Sequence, residues 1–162
     1  MHGISVTAIQ AVQAILAPAL GISAVGLLLL GLMNRYSGFV ARIRLLNDEK
    51  RVLVRRLAEA KEGLPFTDNI RYMSIKKQTD ELLVRSALIR DSILSLQTAV
   101  GLFVLTSLAI GLNLFVGNDA LDATALIIFM AGMVAVLVGI LFAAREVYRS
   151  FKIVLIEVKA EE

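Results

Sequence analysis

The sequence has no cysteine, which excludes disulfides, thiolate metal sites and thiol nucleophiles. Its one histidine is His2, in a stretch where fraying is the expected state, a poor setting for a ligand or a proton shuttle. No glycine-rich phosphate loop is present. Charge is also missing over long stretches: no Asp, Glu, Lys or Arg precedes Arg35, none lies between Asp91 and Asp119, and none between Asp122 and Arg145. A catalytic cluster of nucleophile, base and stabiliser has nowhere to form inside such segments. The reading is therefore of a protein that is not an enzyme, with no cofactor and no metal site. Asp119 and Asp122 supply too few oxygens for a committed cation site.

What fills the uncharged stretches is apolar. Of the 162 residues 57% are hydrophobic, and the mean hydropathy is +0.76, more apolar surface than a soluble domain needs. A spanning helix takes roughly 20 apolar residues at 1.5 Å each, and each gap in the charge meets that length. The expected architecture is an all-α integral membrane protein. It has transmembrane helices over 7–33, 93–116 and 123–144, a long cytoplasmic helical hairpin over 34–92 and a cytoplasmic C-terminal helix over 145–162. The first span lacks the basic flank and short core of a cleavable signal, so it is read as retained.

Orientation follows from the basic residues. Thirteen of the 17 Lys and Arg residues lie between the first and second spans, and the other four follow the third. Positive charge stays inside, so the central region and the C-terminus are expected in the cytoplasm and the N-terminus outside. The stretch from Arg42 to Arg56 is interleaved with Asp48, Glu49 and an apolar repeat. Anionic lipid at the cytoplasmic face accounts for it better than nucleic acid.

That central region is patterned. Tyr36, Phe39, Ile43, Leu46, Leu53 and Leu57 follow a three-four spacing interrupted at Lys50, as an amphipathic helix continuing from the first span does. Gly63-Leu64-Pro65 predicts its end. Thr67 or Asp68 is placed to cap a second helix, on which Ile75, Thr79, Leu82, Ser86, Ile89, Ile93 and Leu96 keep the spacing into the membrane. In the tail, Tyr148, Phe151, Leu155 and Val158 make one stripe, expected to pack on the hairpin's base. These seams offer more surface than one subunit covers, so a homo-oligomer is expected.

Within the membrane, Ala17, Gly21 and Ala24 share a small-residue face of the first span, and Gly132, Ala135 and Gly139 share one on the third. Small faces are where helices approach closely in lipid. On the second span, Ser95, Thr98, Leu102, Thr106 and Asn113 fall on one face and are candidate pore-lining residues, with Gln10 and Gln13 of the first span as the alternative lining. The same hydroxyls are also what a helix uses to bond its own carbonyls or a neighbour's. Asp122 is placed to cap the third helix.

Ala17-Pro18-Ala19, Asn34-Arg35-Tyr36 and Arg42-Ile43-Arg44-Leu45-Leu46 resemble a bacterial three-helix membrane family catalogued as a domain of unknown function. The resemblance covers most of the chain and implies an inner-membrane protein without supplying an activity. In architecture alone the chain is also similar to stator proteins of the MotA, TolQ and ExbB type, although the Gly-Thr-Val of their second span is missing. Two readings stand: a homo-oligomeric ion channel or proton-coupled stator-like pore, or a membrane scaffold whose cytoplasmic hairpin recruits a protein partner.

Overall fold

Three helices account for the secondary structure: α1 Ala8–Glu59, α2 Phe66–Val116 and α3 Asp119–Ala160. The computed structural model describes the backbone of residues 8–59 and 66–160, and the side-chain surroundings of 12–56 and 69–149. The expected stop at Gly63-Leu64-Pro65 and the side chains of Gln10, Leu57, Phe151, Leu155 and Val158 lie outside the described residues, whereas α2 already begins at Phe66, which places Thr67 and Asp68 within its first turn rather than at the expected cap. At 52, 51 and 42 residues, each helix exceeds the roughly 20 a bilayer core requires. All are apolar enough to cross one, with their most apolar stretches reaching mean hydropathies of 2.3, 2.2 and 2.9. Only 11%, 17% and 17% of the residues in those stretches are buried within the chain, as lipid-facing segments require.

Two compact units divide the chain, one formed by residues up to 32 with 91–144, the other by 33–90 with 145 onward. In the first unit, α2 supplies the large side chains and the other helices supply the space. Val25, Leu96 and Phe103 form its core, flanked by Ile22, Leu29, Val100, Phe129 and Val136. Phe103 packs on Phe129 with ring centroids 5.5 Å apart. The small-residue faces receive these side chains: a methyl added at Gly21 would meet the Phe103 ring at 3.0 Å, one at Gly132 at 2.7 Å, and one at Gly139 would meet Leu96 at 2.9 Å. In lipid this close van der Waals contact replaces the hydrophobic drive. Ala17 and Ala24, read as part of the same packing face, are exposed.

The turn between α2 and α3 is built from backbone chemistry. Gly117 adopts φ +66°, and its N–H donates to the Asn113 carbonyl at 2.8 Å, a left-handed residue closing a helix. Asn118 then caps α3, its side-chain oxygen accepting from the Ala120 N–H at 3.0 Å. This corrects the expectation that Asp122 is the cap. Asp122 sits inside the first turn, where a carboxylate complements the helix dipole.

In the second unit, Leu46 and Leu53 of α1 pack with Ile75 of α2, joined by Tyr72 and Leu82. The interruption at Lys50 is accommodated because its ammonium lies 5.8 Å from the Tyr72 ring centre, a cation over an aromatic face. Beside it Arg71 forks onto Glu49, with Nε to Oε1 at 2.7 Å and Nη2 to Oε2 at 3.0 Å. These hydrogen bonds, helped by the charges of Arg71 and Arg42 against a desolvation penalty, hold the Glu49 carboxyl below the ordinary carboxylate range.

Candidate functional site

The polar face of α2 is turned largely toward its own chain. Ser95 donates to the Ala135 carbonyl at 2.8 Å, and its neighbour Ser92 to the Gly139 carbonyl at 2.6 Å. Both reach across to α3 because small residues there leave the backbone accessible. Thr106 is buried and donates to the Leu102 carbonyl at 2.9 Å, and Thr98 does the same to Leu94 at 2.9 Å. Leu102 is half-buried. Asn113 donates to Asp122 at 2.6 Å and accepts from the Asn118 N–H at 2.8 Å, tying the ends of α2 and α3 together. Ser95, Leu102, Thr106 and Asn113 therefore keep company, at the seven-residue and four-residue steps that return to one face, while Thr98 is exposed. On α1, Gln13 is exposed.

Sequence reasoning passed over the most constrained polar group. Glu146 is fully buried, and each of its oxygens is taken by a guanidinium. Arg35 of α1 donates to Oε2 at 2.8 Å, and Arg85 of α2 reaches Oε1 at 3.3 and 3.4 Å. Arg85 also lies over the Phe39 ring, 5.0 Å from its centre. All four residues belong to the second unit. A carboxylate without water is costly unless paired and hydrogen-bonded; here two arginines from two helices meet that condition and fasten α3 to both. A signal for it was present: the buried positions of α3 are Ala125, Gly132, Gly139 and Glu146, one heptad step apart, so continuing the small-residue face by seven lands on the carboxylate. Tyr148, read as the start of the tail's packing stripe, is 74% exposed, because that register belongs to Glu146.

Outside the apolar stretches, α2 carries a second, exposed seam, whose Asp80 and Val84 line a groove with Arg149 of α3. Ile70, Met73 and Val84 are 54%, 63% and 48% exposed, and with the exposed Lys77 and Asp80 they follow alternating three- and four-residue steps along one side. Among the described residues there is no group of three or more His, Asp or Glu placed to hold a metal ion.

Three long apolar helices, with charge confined to their extensions, define a helical membrane protein. The chain belongs to the family described as protein of unknown function (DUF2721), whose model matches residues 15–156. Neither curated proteins nor solved structures provide a match. The likeness to MotA, TolQ and ExbB expected from the sequence finds no support in these comparisons.

Proposed function

We propose that this is a non-enzymatic, self-associating scaffold of the bacterial inner membrane, with its N-terminus outside and its basic helical region and C-terminus in the cytoplasm. The observation that carries the reading is the exposed seam of Ile70, Met73, Lys77, Asp80 and Val84. Apolar side chains at heptad spacing on a water-exposed helix mark a surface for another helix. The charges between them suit a second copy of the same chain, since Lys77 of one copy can face Asp80 of another across a symmetric contact. Orientation rests on the placement of every Lys and Arg between the first two spans or after the third. Anionic lipid headgroups complement the basic residues nearest the membrane.

A pore or stator is the second reading, favoured by Gln97 and Thr98, which are adjacent and exposed on an apolar stretch of α2. Polar side chains facing outward in lipid are best covered by another helix or by water. In that reading the lining is Gln97 and Thr98, because Ser95, Thr106 and Asn113 are engaged inside the subunit.

The scaffold reading is tested by oxidising isolated membranes that contain Met73→Cys or, as a control on another face of α2, Leu83→Cys. Met73→Cys is expected to give a disulfide-linked dimer and Leu83→Cys none. Equal cross-linking, or none at Met73→Cys, would count against the seam. Ion flux through the wild type in liposomes, abolished by Thr98→Val, would favour the pore instead.

A further inference from the structure

In the first unit, α1, α2 and α3 part to leave an open groove of about 360 Å³, lined by Ala14, Ala17, Pro18, Thr106, Asp122 and Phe129 among others. That volume is within the range of small-molecule sites, which are mostly apolar with a few placed polar groups. The polar groups here are all acceptors. Thr106 has already donated its hydroxyl hydrogen to the Leu102 carbonyl, so only its lone pairs remain. Asp122 accepts from Asn113 on one oxygen, and its other oxygen has no partner among the described residues. Pro18 has no N–H to give the Ala14 carbonyl one turn earlier, and both residues line the groove.

The charge balance is equally one-sided. Residues 1–32 and 91–144 hold three aspartates and not one lysine or arginine, so the unit containing Asp122 has no basic side chain of that kind to pair with it. An apolar crevice with a carboxylate at one end and acceptors deeper in complements a molecule with an apolar body and a cationic, hydrogen-donating head. We propose that this groove binds a single-chain amphiphile with a primary ammonium head, the ammonium on Asp122 and the alkyl chain running along Ala17 and Pro18 toward Phe129. Small Ala14 and Ala17 on the α1 wall keep the crevice open, a role distinct from the helix packing first expected of Ala17.

The test uses the full chain in phosphatidylcholine nanodiscs at pH 7, with radiolabelled dodecylamine, dodecanol and dodecanoate in equilibrium dialysis against empty discs. Dodecylamine is expected to bind saturably above the empty-disc background, dodecanol at least about tenfold more weakly, and dodecanoate not at all. Asp122→Asn, which keeps the acceptor for Asn113, should weaken dodecylamine at least about tenfold. Ala17→Phe should remove the site by filling it, and Asp119→Asn, in the same turn but outside the lining, should change nothing. Circular dichroism identical to wild type keeps these variants interpretable. Absence of saturable binding, equal binding of dodecanol or dodecanoate, or an Asp122→Asn variant that binds like wild type would each overturn the proposal.

Discussion

Arg35 and Glu146 are 111 residues apart in the chain and 2.8 Å apart in space, and the carboxylate of that pair has no exposure to solvent. Removing one partner of a buried pair leaves a desolvated charge, at about 3 to 5 kcal/mol. Arg35→Met, which leaves that solvent-free carboxylate with Arg85 alone, should therefore lower stability by about 3 kcal/mol. Glu146→Gln leaves guanidiniums that are 44% and 22% exposed, so solvent screens what it strands. Glu146→Gln should cost less than Arg35→Met, and replacing Arg35, Arg85 and Glu146 together by Met, Met and Leu should recover much of the loss. Denaturation of the detergent-solubilised protein, followed by circular dichroism, reads all three.

Packing around Phe103 makes a second prediction. Its ring is held between Gly21 and Gly132, so it has no room to retreat from a new methyl. Gly132→Ala should destabilise by about 1 to 3 kcal/mol, and pairing it with Phe103→Leu should return part of that, a coupling expected of residues in contact. Gly101, with nothing near the position a methyl would take, should accept Ala without loss.

Acid should loosen the second unit through Glu49. Its folded-state pKa is held below the ordinary carboxylate value by Arg71, so the pair's stabilisation is complete above that ordinary value. It is lost as pH falls through the lowered one. The wild type should lose stability on that limb, and Glu49→Gln should flatten it. Unfolding followed between pH 6 and 3 measures the difference, which salt should shrink because the pair is exposed.

The three apolar spans were legible because a gap in the charge is a signal that needs no partner to interpret. The seam of Leu46, Leu53 and Ile75 was legible too, since burial follows the spacing. Glu146 was not, although its heptad register with Gly132 and Gly139 was on view. A carboxylate among Arg145, Arg149 and Lys152 looks like a solvated charge until the arginines that meet it, from two other helices, are placed. The polar face of α2 was legible only as a choice: periodicity puts Ser95, Thr106 and Asn113 together, and the neighbouring α3 shows that Ala135 and Asp122 answer two of them.

Topology is open to direct labelling, since the protein has no cysteine of its own. Ala120→Cys, exposed at the start of α3, should react with an impermeant thiol reagent added to intact cells. Lys76→Cys, exposed on α2, should react only after the membrane is opened. The reverse pattern would invert the orientation.

Self-association is the centre of the account, and the mass of the assembly tests it most directly. Wild-type protein measured by native mass spectrometry in nanodiscs should be a homo-oligomer. Lys77→Asp, which sets like charges against each other across the seam, should shift it toward monomer, and Lys77→Asp combined with Asp80→Lys should restore it. A monomer in the wild type, or an oligomer indifferent to both changes, would contradict the account.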